Sequence, residues 1–203
     1  MSTTEISVWT GWKLTALISV LLVILAAVAV TMSPSSLEAT RLVIRLTART
    51  SLVLFALAFT ASSLDRLFPS PATRWLRQNR RYLGVSFAVS HAIHAVALFV
   101  LARLDSALFL QLTDIGSYIG GGIAYLFIIL MTLTSFDRTA VLIGPTAWYW
   151  LHTVGAWYIW VSFLLNFGKR AAMNPMYWPA MVIVGLMLVV RLAAVIGGRR
   201  RMA

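Results

Sequence analysis

The chain contains three histidines, and each of them lies in a long apolar segment. His91 and His94 are three residues apart in one segment, and His152 lies in a later segment that is rich in tryptophan and tyrosine. An imidazole is costly to place in lipid without a partner, so an ionisable residue at membrane depth is a candidate functional residue. Since the chain has no cysteine, histidine is its best metal ligand apart from methionine. The three histidines are therefore candidate axial ligands of haem iron.

The spacing of the histidines leaves two pairings open. His91 and His94 project from one face of a helix. Counted from the predicted cytoplasmic helix ends at 1.5 Å per residue, His91 lies about 13 Å deep, His94 about 18 Å and His152 about 8 Å. This count favours His91 as the partner of His152, and helix tilt can absorb several ångströms of mismatch. The alternative is that all three are core histidines that hydrogen-bond between helices.

Composition indicates an integral membrane protein. Hydrophobic residues make up 60% of the 203 residues and charged residues 11%, and the mean hydropathy is +0.86. Such a chain is too apolar for a soluble domain. A helix needs roughly 20 apolar residues to cross a bilayer, and the sequence predicts an all-α membrane protein with one six-helix transmembrane bundle over residues 1–203. The predicted spans are about 13–32, 42–64, 82–102, 115–135, 147–167 and 177–197.

The basic residues predict the orientation. The net charge of +11 does not indicate nucleic acid, because the basic residues cluster in short connections, as they do in cytoplasmic loops. Arg199, Arg200 and Arg201 lie in the C-terminal tail, and five further arginines follow the second span: Arg66, Arg74, Arg77, Arg80 and Arg81. Both termini are therefore predicted to be cytoplasmic, with residues 103–114 outside.

Two arginines and one tryptophan are the candidate cofactor-binding residues. Arg41 and Arg45 lie near the outer end of the second span, where snorkelling to the headgroups would explain them. Arg49 is deeper, and a lone charge there favours a clamp for an anionic or carbonyl group, such as a haem propionate or a quinone. Arg191 is also at membrane depth. Trp157 could flank a porphyrin. The predicted cofactor-binding set consists of Arg49, Trp157 and Arg81, which is one of the arginines that follow the second span.

Four short motifs resemble the ferric reductase-like transmembrane family. TARTSL at 47–52 is similar to the family's TGRxAL stretch, and RRYLG at 80–84 followed by His94 resembles its RRxLG and later histidine. LTS at 133–135 followed by Trp148 and His152 resembles its TS, W and LH pattern. AIH at 92–94 is similar to the outer-haem stretch of the NADPH oxidase relatives. The resemblance covers about residues 45–168, and within the family it is strongest to the haem-binding membrane subunit of the bacterial methionine sulfoxide reductase system.

The resemblance implies a b-type haem protein of the bacterial inner membrane, with several membrane passes. In the family a second histidine follows the first on the fifth helix by some thirteen residues, and here that position is Leu165. We therefore expect one haem per chain, with His94 at the family's outer position and His152 at the inner one. The chain could also have lost haem altogether, as a structural partner or small transporter.

The resemblance also implies an electron-transfer subunit. Ferric reductases carry flavin and nicotinamide domains, and the 203 residues contain neither. Quinol or a flavin reductase is expected to supply the electrons, with quinone or FMN as a further cofactor. A separate acceptor protein, such as a periplasmic reductase, or a metal would receive them. Membrane lipid is the other expected partner.

Overall fold

The computed structural model describes residues 9–200, with side chains as far as residue 197, and every regular element in this range is helical. The helices are α1 Gly11–Thr31, α2 Ser36–Leu67, α3 Pro71–Leu104, α4 Ser106–Leu112, α5 Ile115–Leu133, α6 Asp137–Met173 and α7 Trp178–Arg200, with a 3-10 turn at Pro175–Tyr177. The predicted all-α class is confirmed. The single-domain assignment stays a prediction.

Five of the described helical segments are long and apolar enough to cross a membrane. They are α1, α2, α3, α5 and Pro175–Gly197, so the chain is a multi-pass membrane protein. The predicted fifth span, 147–167, lies within α6, which is long but is not one of the five. Tryptophan, tyrosine and histidine lower its mean hydropathy, although such residues are common at membrane interfaces. The six-span count and the cytoplasmic termini therefore stay predictions, and Arg201 and the side chains of Arg199 and Arg200 lie outside the described residues.

The connection between α2 and α3 is shorter than the sequence suggested. Ser70 and Thr73 cap the start of α3 reciprocally, because Ser70 N donates to Thr73 Oγ1 at 2.9 Å and Thr73 N donates to Ser70 Oγ at 3.2 Å. Pro71 occupies the first helical position, where its missing N–H costs nothing. The five arginines that follow the second predicted span are therefore helical, with Arg66 in the last turn of α2 and the others in α3.

Helix α4 was not predicted. Asp105 caps it by accepting a hydrogen bond from Leu108 N at 2.9 Å. The helix has 7 residues, so it is too short to be detected as a span. It lies in the connection that was predicted to be outside the membrane.

A break at Gly144 divides α6. Gly144 has φ 75° and ψ 164°, a combination that is essentially restricted to glycine. Pro145 follows it and is compatible with the first turn of a renewed helix. The segment that carries His152 therefore begins at this break, close to residue 147, where the fifth span was predicted to start.

The helices form two compact units. The first unit comprises α1, α2 as far as Leu54, α3 from Tyr82, α4 and α5 as far as Ile119. Its core contains small side chains, with Ala29, Val43 and Ala97 buried together. Small residues allow helices to approach closely in membranes.

The second unit comprises α2 from Phe55, α3 as far as Arg81, α5 from Gly120, and then α6 and α7. Its core is aromatic: the Phe55 ring centroid lies 5.5 Å from that of Phe163, and Trp160 Nε1 donates to Val184 O at 3.1 Å. Gly155 brings α6 close to α5, since a Cβ there would lie 2.6 Å from Met131 Sδ.

Candidate functional site

His94 contacts a threonine of the neighbouring helix in the first unit. Its Nδ1 lies 2.9 Å from Thr47 Oγ1, a hydroxyl on α2 that is also 2.6 Å from Val43 O. Thr47 is 3% exposed, so this contact is shielded from water. Thr47 is the first residue of the TARTSL motif and His94 follows the RRYLG motif, but nothing in the two motifs indicates that these residues are in contact.

A buried polar ladder holds α2 against α3 beside this pair. Ser90 Oγ donates to Thr47 O at 3.2 Å, and Ser51 Oγ donates to Ser90 Oγ at 2.9 Å. Ser51 and Ser90 are both fully buried. Because an unsatisfied hydroxyl in this apolar interior would be costly, the ladder fixes the register of the two helices, and with it the place of Thr47 opposite His94.

His91 lies one turn from His94 on the same helix. The two imidazole rings are stacked, with centroids 5.3 Å apart and an interplanar angle of 28°. The His91 ring also packs on Phe87 at 5.1 Å. The structure therefore brings the two histidines of α3 together, as their spacing predicted.

His152 has a similar arrangement in the second unit. Its Nε2 lies 3.0 Å from Thr134 Oγ1, and this hydroxyl donates to Leu130 O at 2.8 Å. Trp148 stacks on the imidazole at 4.2 Å, and its Nε1 donates to Thr134 O at 2.9 Å. The three elements of the TS, W and LH pattern therefore meet at one place in the fold, although the pattern separates them along the chain.

The predicted cofactor-binding residues have different surroundings. Arg49 is exposed on α2, and among the described residues it has no ion pair. Arg81 is paired with Asp137, with 2.7 Å between Arg81 Nη2 and Asp137 Oδ1. Asp137 is largely exposed, so the pair contributes little to stability. Arg80 and Arg81 both lie within electrostatic range of His152.

Trp157 packs against an intramembrane arginine. The Arg191 guanidinium lies 4.3 Å from the Phe59 ring centroid and 5.2 Å from that of Trp157. Arg191 Nη1 also donates to Phe59 O at 3.1 Å. The cation at membrane depth is thus stabilised by two aromatic faces and a carbonyl, and the sequence alone does not reveal these partners. These contacts join α2, α6 and α7 within the second unit.

Within residues 9–197, no three His, Cys, Asp or Glu side chains form a metal-binding group. Haem iron requires only one or two axial protein ligands, because the porphyrin supplies the others. The donor set of this chain, imidazoles in apolar helices with hydroxyl partners, fits that requirement. It does not fit a site in which protein side chains supply the whole coordination sphere.

The fold and the histidines define a multi-pass helical membrane protein with imidazoles inside its apolar segments. Comparison with protein families matches residues 45–163 to the ferric reductase like transmembrane component. The match covers more than half of the chain and includes all three histidines, and the chain belongs to this family. Neither the curated proteins nor the solved structures give a match. The closer resemblance to the sulfoxide reductase subunit stays a prediction.

Proposed function

We propose that this protein binds b-type haem and carries electrons within the membrane between a separate donor and a separate acceptor. Membership of the ferric reductase like family supports the membrane electron-transfer role. The structural observation that supports haem binding most directly is the contact between His94 and Thr47. Histidine ligands of metals commonly use their second ring nitrogen in such a hydrogen bond, which orients the ring.

The residues of the chain would have distinct roles toward haem. His94 and His152 are the proposed axial ligands, and His91 is the alternative on α3. Non-covalent binding follows from the absence of cysteine. A bound haem supplies a one-electron carrier. The apolar helices around the histidines would exclude water, which is one of the ways in which proteins set the potential of haem iron.

The cations of the second unit would favour negatively charged groups near His152. Arg80 and Arg81 lie within electrostatic range of this histidine, and Arg81 is only partly neutralised by the exposed Asp137. Arg49 of the first unit is exposed and is the candidate for a similar role there. We propose these arginines as binding residues for carboxylate or carbonyl groups of a redox cofactor.

We further propose quinol or reduced flavin as the donor, and a periplasmic reductase or a metal as the acceptor. These partners follow from the resemblance of the sequence motifs to the sulfoxide reductase subunit. The bacterial inner membrane is the proposed location for the same reason.

Anaerobic reduction of the purified, haem-loaded protein tests the electron-transfer role. A quinol analogue and reduced FMN are added separately, and the α-band of ferrous haem is followed. We expect at least one of the two donors to produce the band. Dithionite serves as the control, because it reduces accessible haem without a specific donor site. A protein that dithionite reduces and both biological donors leave oxidised contradicts the proposal.

A further inference from the structure

The contact between Thr47 and His94 bears on which ring nitrogen of His94 carries the proton, and not only on the position of the ring. A threonine hydroxyl has one hydrogen to donate, and a neutral imidazole has one N–H and one bare nitrogen. Thr47 Oγ1 lies 2.6 Å from Val43 O and 3.2 Å from Ile44 O. Carbonyl oxygens only accept hydrogen bonds.

The short distance to Val43 O fixes the direction of the Thr47 hydroxyl. Two oxygens 2.6 Å apart are at hydrogen-bond distance, and without a proton between them they would repel. The Thr47 hydrogen therefore points to a carbonyl of its own helix, as threonine hydroxyls in helices commonly do. Oγ1 then has only lone pairs to offer to His94 Nδ1 at 2.9 Å.

We infer that Thr47 is a positioning residue that holds His94 as the Nδ1–H tautomer, with the lone pair on Nε2. Nε2 is the ring nitrogen farther from the backbone, and in this tautomer it carries the lone pair that would bind iron. The hydrogen bond that Ser90 Oγ of α3 donates to Thr47 O of α2, at 3.2 Å, keeps the two helices in register for this contact. The consequence for haem rests on the proposed function, whereas the tautomer is a property of the chain itself.

Three variants on α2 separate this role from ordinary packing. Thr47→Val keeps the shape of the side chain and removes the hydroxyl, and Thr47→Ser restores the hydroxyl. Thr60→Val is the matched control, because Thr60 is also buried on α2 and donates to Ala56 O at 2.7 Å, and its hydroxyl has no histidine partner.

Nitrogen NMR of the histidine rings in the haem-free protein, in detergent, measures the tautomer of His94 directly. The spectra are taken at alkaline pH, and the His94 signals are assigned by their loss in His94→Gln. The wild type, Thr47→Ser and Thr60→Val should show a protonated Nδ1 and a bare Nε2, and Thr47→Val should lose this preference. A wild-type His94 protonated on Nε2, or an unchanged tautomer in Thr47→Val, overturns the inference.

Haem titration of the same four proteins tests the consequence. Loss of a hydrogen-bond partner of a ligating histidine typically lowers metal affinity by about 10- to 100-fold, and we expect this loss for Thr47→Val alone. Equal haem affinity in Thr47→Val and Thr60→Val would overturn the positioning role. A wild-type chain that binds no haem would instead contradict the proposed function, and the NMR result would still decide the tautomer.

Discussion

Two threonine hydroxyls contact different nitrogens of their histidines. Thr47 lies against Nδ1 of His94, and Thr134 lies against Nε2 of His152. Each hydroxyl also donates to a carbonyl of its own segment. If both hydroxyls act as acceptors toward imidazole, the bare nitrogen is Nε2 in His94 and Nδ1 in His152. The two histidines would then offer iron different atoms in the observed ring orientations.

Substitution of the histidines should separate ligands from packing residues. We expect His94→Ala and His152→Ala each to lose most of the bound haem, because each removes a proposed axial nitrogen. His91→Phe is the matched control: it keeps a planar ring against Phe87 and His94 and removes both ring nitrogens. Haem per protein, measured from the absorbance of the purified variants, checks this expectation.

Two outcomes would contradict this assignment of ligands. Loss of haem in His91→Phe with full haem in His94→Ala would make His91 the ligand on α3, as the depth count favoured. Full haem in both α3 variants, with loss in His152→Ala, would mean that neither histidine of α3 is a haem ligand.

The sequence was sufficient to find the histidines but not their partners. Three ionisable rings in apolar segments are visible without a structure, because their cost in lipid makes them unusual. A lone threonine in an apolar helix commonly bonds a carbonyl of its own helix, and the Thr47 bond to Val43 O is of that kind. The second contact of Thr47, with a histidine 47 residues away, depends on the register of α2 and α3. For Thr134, the only sequence signal for its contact with His152 is the resemblance to the TS, W and LH pattern.

The break in helix α6 depends on one glycine. Gly144 has positive φ, and Pro145 follows it, so the segment that carries His152 starts at a defined point. A Gly-Pro pair is a turn signal that can be recognised in the sequence. The sequence could not predict that a short helical segment, beginning at Asp137, would precede the break.

Gly144→Ala should destabilise the protein. A residue with a Cβ at φ 75° and ψ 164° is strained by about 1–3 kcal/mol, although open space surrounds this position. Gly122→Ala is the control, because Gly122 is helical and also has open space around it, so alanine should be neutral or stabilising there. Thermal unfolding in detergent should give a lower Tm for Gly144→Ala only. An unchanged Tm would show that the break at Gly144 is not required.

The centres of the helices were easier to predict than their ends. Runs of apolar residues placed α1, α2, α3, α5 and α7 because length and hydropathy define a membrane span. The ends follow from local bonds instead. The reciprocal capping by Ser70 and Thr73 extends α3 toward α2, and the Asp105 cap starts α4. Neither signal is visible in hydropathy.

The distribution of basic residues predicts the orientation of the whole molecule. The arginines around the α2 to α3 connection and in the C-terminal tail are expected on the cytoplasmic side. The connection between α3 and α5 contains two acidic residues, Asp105 and Asp114. This connection is expected outside.

The absence of native cysteine makes this orientation directly testable. Ala72→Cys and Ser106→Cys each introduce one thiol at an exposed position, one near the start of α3 and one at the start of α4. A membrane-impermeant maleimide applied to intact cells should label Ser106→Cys and should leave Ala72→Cys unlabelled until the membrane is opened. The unmodified chain is the control for background. The reverse pattern would place the basic arginines outside and would invert the direction of electron flow.

The haem content of the intact protein decides whether it can carry electrons on haem. The chain is purified in detergent after expression with ample haem, and a pyridine haemochrome assay is compared with the protein concentration. We expect non-covalent b-type haem at a ratio near one per chain, because Leu165 stands where the family's second fifth-helix histidine is expected. A ratio near two would mean that a ligand has been overlooked. A protein with no Soret band would mean that this family member does not carry electrons on haem.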